Sequence, residues 1–160
     1  SRTSGILRFL YLSVGAESPK VVEELRKEAV DVQWVEVYQP NSSFQGGLAL
    51  RDSLIGGEDA ARTEMTEAQL KETYLSHLKD LLDHMDIWNS LDLQSSKYVF
   101  PGEGKESALR ECYEDAKQLD VLEAKNYCIS GKRDEIVEYL EKTDISSILV
   151  DEVKLSELSN

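Results

Sequence analysis

Glycine followed by lysine or arginine at the start of a helix is how a chain commonly holds an anion. The small residue lets backbone N–H groups face the ligand and the cation pairs with it. Glycine-bearing turns occur three times here, each between an apolar run and a helix-like run: around Gly15, at Gly102 and Gly104 before Lys105, and at Gly131 before Lys132 and Arg133; a cation directly follows the glycine in the last two. If each apolar run is a parallel strand feeding a helix, the three turns lie together along the carboxyl edge of one sheet, where open α/β sheets bind ligands. Gly15, Gly102, Gly104, Lys105, Gly131, Lys132 and Arg133 are therefore the candidate anion- or nucleotide-binding residues. None of the turns is a complete phosphate loop, since a single residue separates Gly102 from Gly104 and Glu106 follows Lys105 where a hydroxyl residue is required. Asp134 and Glu135 complement the dipole of the helix they open.

No catalytic constellation accompanies these turns. Ser13, Ser18, Ser107 and Ser130 lie near the expected sheet edge, yet none sits in a Gly-x-Ser-x-Gly elbow, and the two histidines belong to a distant helix. On that helix His77, Asp80 and His84 share a strip with Asp83 beside them. Two imidazoles and a carboxylate on one helix need ligands from elsewhere to hold a metal, so the strip reads as a solvated shoulder and no metal is expected. Cys112 and Cys128 lack CxxC spacing, which points away from zinc, a disulfide framework or a redox pair and toward a reducing compartment.

The elements that would position the turns follow from hydrophobic periodicity. Apolar residues of both parities over 6–14 predict a central parallel strand. Ser18 and Pro19 predict a helix start, with Val21, Val22, Leu25 and Ala29 at helical spacing. A strand over 32–38, nearer an edge, ends at Pro40. The segment 40–63, with Gly46, Gly47, Gly56 and Gly57, reads as a long mobile loop. Thr66 and Gln69 form a capping box before the longest helix, whose apolar stripe runs from Leu70 through Tyr74, Leu78 and Leu82 to Met85. A short strand over 97–100, a helix over 108–119, a strand over 124–130, a helix over 136–142 and a strand over 145–150 complete the alternation. This order predicts one α/β domain over 1–160: a doubly wound, mainly parallel five-stranded sheet with helices on both faces.

Charge limits the partners. The 160 residues carry 18 Lys and Arg against 31 Asp and Glu, a formal net charge of −13. A field of that sign repels phosphate backbones and anionic lipid, so no nucleic acid partner is expected. No apolar run approaches the roughly 20 residues a helical span requires, so direct membrane insertion is not expected either. The chain reads as cytoplasmic.

The opening run Ile6-Leu-Arg-Phe-Leu-Tyr-Leu-Ser-Val-Gly-Ala-Glu-Ser-Pro-Lys-Val-Val-Glu-Glu-Leu resembles the first strand, turn and helix of universal stress proteins. The run Ile129-Ser-Gly-Lys-Arg-Asp-Glu-Ile-Val-Glu-Tyr-Leu-Glu-Lys-Thr-Asp-Ile-Ser-Ser-Ile-Leu-Val is similar to their glycine turn, helix and following strand. The resemblance implies a doubly wound sheet, a homodimer, and use as a cytoplasmic regulatory module, including domains appended to transporters. ATP-binding members carry an aspartate at the end of the first strand and a glycine-rich loop after the fourth. Ser13 and Val14 stand at the first place and Asp151-Glu-Val-Lys-Leu155 follows the last strand, so no cofactor is implied. The expected function is a regulatory or sensing domain without catalysis. Two alternatives are a nucleotide- or phosphate-binding domain with weak hydrolase activity, using Gly15, Lys105, Lys132 and Arg133, and a module that contacts its parent protein or another protein through 40–63.

Overall fold

The computed structural model describes residues 6–50, 65–90 and 105–157. In chain order the elements are β1 (Ile6–Val21), α1 (Val22–Leu25), β2 (Asp31–Val37), β3 (Gly47–Ala49), α2 (Glu67–Asp83), α3 (Met85–Ser90), α4 (Lys105–Lys117), β4 (Glu123–Lys132), α5 (Arg133–Lys142) and β5 (Ile145–Glu157). The capping box forms: the Thr66 hydroxyl accepts from the Gln69 amide at 3.2 Å and the Gln69 side chain accepts from the Thr66 amide at 2.9 Å. It satisfies two of the four donors that a helix start leaves unpaired. Leu70, Tyr74 and Leu78 of α2 are buried, as the apolar stripe requires.

The five strands lie in the order β3-β2-β4-β1-β5, and every neighbouring pair is antiparallel. The expected doubly wound, mainly parallel sheet is not formed. The reason lies in how the β-α-β units combine. β1 and β2 are both antiparallel to β4, which lies between them, so they point the same way. β4 and β5 are likewise both antiparallel to β1 and flank it. The first and last of the expected crossovers exist, β1-α1-β2 and β4-α5-β5, but a strand of the other unit fills each gap. This is the interleaving of a split β-α-β, ferredoxin-like sheet, with β3 added at one edge and α2, α3 and α4 inserted before β4.

The described helices cover one face of the sheet. Leu12 and Val14 of β1, Val32 and Val35 of β2, Leu48 of β3, and Tyr127 and Ile129 of β4 fall on the same side by register. They join one buried cluster with Tyr74 of α2, Leu109 and Cys112 of α4, and Ile136 and Tyr139 of α5. The Tyr127 and Tyr139 hydroxyls meet at 2.6 Å, which pairs two polar groups that burial would otherwise penalise. The opposite face carries Tyr11, Ser13, Gly15, Trp34, Glu36, Asn126 and Cys128, and none of these belongs to that cluster.

Three local expectations also shift. Ser18 and Pro19 lie inside β1, and α1 is only four residues long. β2 is an interior strand, with β3 outside it. Within 40–63, residues 47–49 form β3 and pair with β2, while 51–63 lies outside the described residues, as does the strand expected over 97–100. Among the described residues, no helix is long and apolar enough to cross a membrane.

Candidate functional site

Gly15 and Gly131, two of the candidate anion-binding residues, do not share a sheet edge. Gly15 lies within β1 and pairs with Asn126, whereas Gly131 lies near the end of β4 and pairs with Leu10. Five residues along β1 separate the two positions, about 17 Å at the usual strand rise. A Cβ on Gly131 would touch Ile136 of α5 at 3.6 Å, so that glycine backs onto the core cluster. Lys132 is the residue before α5 and Arg133 its first residue, and both are exposed. Lys105 begins α4, and Gly102 and Gly104 lie outside the described residues. The crevice expected at a common carboxyl edge depended on parallel strands and disappears with them.

A different site forms where three strands bulge at one level of the sheet. Glu36 of β2 pairs with Asn126 of β4, Asn126 with Gly15 of β1, and Gly15 with Ser147 of β5, giving one polar row across the sheet. Immediately beyond it the registers break. Val37 pairs with Ala124, leaving Lys125 as an extra residue on β4. Ala16 pairs with Ile145, leaving Ser146 extra on β5. β1 next meets β4 at Lys20, so 16–19 swing out. Bulges bend strands and re-aim side chains, which is why they recur beside binding sites.

Here they enclose an open cavity of about 310 Å³ lined by Ala16, Glu36, Tyr38, Gln45, Lys125, Asn126 and Ser146. Its charged groups are one carboxylate and one ammonium. No ion pair joins them among the described residues. The Lys125 ammonium stands 6.0 Å from the centre of the Tyr38 ring, at the outer limit of a cation–π contact. Asn126 donates to Glu36 at 3.4 Å, and Ser146 donates to the Gly15 carbonyl at 3.0 Å.

The wall of this cavity is held from two sides. On one side, Lys20 contacts Asp144 at 2.6 Å, Ser18 donates to the same carboxylate at 3.1 Å, and the Glu17 amide donates to the Asp144 carbonyl at 2.9 Å. These bonds tie the outward swing of β1 to the turn before β5, and the Lys20 and Ser18 contacts hold the Asp144 carboxyl below its ordinary value. On the other side, the connection bearing Tyr38 and Gln45 sits on a buried polar network. Gln39 is fully buried. Its amide donates to the Cys112 carbonyl and to Asp115, each at 3.0 Å, and its side-chain oxygen accepts from Tyr74 and from the Cys112 thiol. Tyr74 accepts the Gly46 amide at 3.1 Å, and Gln45 donates to the Gln39 carbonyl at 3.1 Å. Burial pushes the Tyr74 hydroxyl and the Cys112 thiol up, so both stay neutral and serve as hydrogen-bonding groups.

A second cluster on the open face behaves as structure. Ser13 donates to Asp151 at 2.6 Å and lies 3.5 Å from the Cys128 sulfur. Burial raises the Cys128 thiol, the opposite of the activation a nucleophile needs. Asp151 is itself the extra residue where β5 slips against β1, so the Ser13 contact fixes that bulge. At the C-terminal end of α2, Asp80 and the capping residue His84 meet at 3.2 Å as an exposed pair one turn apart. The described residues contain no group of three metal-ligating side chains.

Sequence periodicity missed Glu36, Tyr38, Gln45, Lys125, Asn126 and Ser146 because cross-strand partners decide their convergence. The one local signal was two consecutive polar residues, Lys125 and Asn126, between Ala124 and the apolar run 127–129, which breaks the period of two as a bulge does. Comparison with family models, curated proteins and solved structures returns no match.

Proposed function

We propose that this chain is a non-catalytic sensing domain that binds a small polar molecule carrying both a positive and a negative charge. The observation that carries the reading is the convergence of three strand irregularities on one charge-balanced cavity. Glu36 is the group for a ligand cation and Lys125 the group for a ligand anion, with Tyr38, Gln45, Asn126 and Ser146 supplying hydrogen bonds around them. The volume, at the lower end of ligand pockets, suits a molecule of the size of a free amino acid. A phosphate or nucleotide would meet Glu36 at close range, so it is a poorer occupant than a zwitterion. The cytoplasm is the compartment this reading assigns, and the free thiols of Cys112 and Cys128 agree with it.

Calorimetric titration tests the proposal, using single amino acids, small dicarboxylates, and ATP and AMP at millimolar concentration. The expected result is saturable heat with at least one zwitterion, lost in both Glu36→Gln and Lys125→Met. The absence of heat with every zwitterion, or binding that survives both substitutions, removes the reading.

A further inference from the structure

The two edges of the sheet differ sharply. β3 is three residues long, whereas β5 runs for thirteen, about 43 Å at the usual rise, and among the described residues pairs with β1 alone. A long edge strand presents unpaired backbone donors and acceptors, and chains ordinarily blunt it with charge, proline or a covering element. Here its middle is apolar and open: Ile148 is 52%, Leu149 65% and Val150 55% exposed. Ile148 and Val150 pair with Val14 and Leu12 and so lie on the helix-covered side, while Leu149 pairs with Ser13 on the open side. Apolar surface is therefore exposed on both faces of the edge.

We propose that β5 pairs with β5 of a second copy of this chain, antiparallel, with the two Leu149 residues directly opposite each other across a two-fold axis. The sequence of the strand selects this occupant. Centred on Leu149, the register sets Ile148 opposite Val150 and Ser147 opposite Asp151, so apolar meets apolar and a hydroxyl meets a carboxylate. Further out, the same register sets position 146 opposite 152 and position 145 opposite 153, and none of the positions paired within 145–153 sets an acid against an acid in the sequence. A slip of one residue sets Ile148 against Asp151, or Ser147 against Val150. Self-complementarity of this kind is what an isologous interface requires. Charge points the same way: in a chain of net charge −13, the run 145–150 holds no ionisable residue, so two copies can approach there without opposing carboxylates. The product joins the two described five-stranded sheets into one, with the described helices of both copies on one side.

Sedimentation equilibrium over a range of micromolar concentrations tests the assembly, with cross-linking to test the register. The wild-type chain is expected to show twice its 18.1 kDa mass at the upper concentrations. Leu149→Lys, which sets two ammonium groups opposite each other, is expected to be monomeric with an unchanged melting profile. In a Cys128→Ser background, Leu149→Cys is expected to join two copies through a short thiol cross-linker. Ser147→Cys is not, because its two thiols would lie about 14 Å apart along the strands. A monomeric wild type, a dimer that persists in Leu149→Lys, or preferential cross-linking through Ser147→Cys each overturns the proposal. An extended peptide partner would show itself as a monomer whose edge remains open. If Leu149→Lys fails to fold, the two cysteine variants decide the matter alone.

Discussion

Replacing Tyr74 with phenylalanine removes a single oxygen that holds two elements together. That hydroxyl donates to Gln39, accepts the Gly46 amide at 3.1 Å and lies 3.6 Å from the Cys112 sulfur, and the residue is fully buried. Without it the Gly46 amide has no partner, and leaving a buried donor unsatisfied costs about 1–3 kcal/mol. Gln39 loses one of two donors to its side-chain oxygen and keeps the Cys112 thiol at 3.1 Å, so the second loss is smaller, about 0.5–1.5 kcal/mol. Relief from desolvating the phenol offsets part of the sum, leaving a net destabilisation of about 2–3 kcal/mol. For a chain of this size each kcal/mol lowers the melting temperature by about 2–4 °C, so Tyr74→Phe is expected to melt about 5–10 °C lower. Urea titration of Tyr74→Phe, Gln39→Leu and the double variant gives the coupling. The double variant should cost clearly less than the sum of the singles, because both break the same contact. A loss below about 0.5 kcal/mol in Tyr74→Phe, or strict additivity in the cycle, would refute the view that this network anchors the connection carrying Tyr38 and Gln45.

Gly47→Ala should destabilise by about 1–2 kcal/mol and alter tryptophan emission, since the new Cβ would stand 2.3 Å from the Trp34 indole. At Gly15 the nearest obstacle is the rotatable Ser147 hydroxyl, so Gly15→Ala should stay within about 1 kcal/mol of wild type and leave the emission unchanged. Thr66→Ala breaks the capping box and should cost about 1 kcal/mol in urea titration. Stability should decline on the alkaline side: burial raises Cys112 and Cys128 above their ordinary 9.0, and Tyr74 and Tyr127 above 10.0. These groups hold their protons longer when folded, so their contribution is complete below the ordinary values and fades as pH climbs through the raised ones. Melting temperatures that stay flat from neutrality to pH 11 would contradict this.

Sequence alone located most elements because their signals are local. The Thr66–Gln69 capping box and the stripe Leu70, Tyr74 and Leu78 need only one helical turn to be read, and the helix over 67–83 follows from them. The apolar run from Leu10 to Val14, the strand over 31–37 and the passage from Gly131 into the helix at Arg133 are legible for the same reason. The succession β-α-β was also correct at both ends of the chain, and it fixes that the two strands of each unit point the same way. It does not fix that they touch. Antiparallel β4 fills the gap between β1 and β2, and β1 fills the gap between β4 and β5. Backbone hydrogen bonding between distant segments makes that choice, and it carries no local period. The cavity followed the topology. Glu36, Asn126 and Ser146 come together only because three registers slip at one level, a consequence of pairing between residues as far apart as 131 positions.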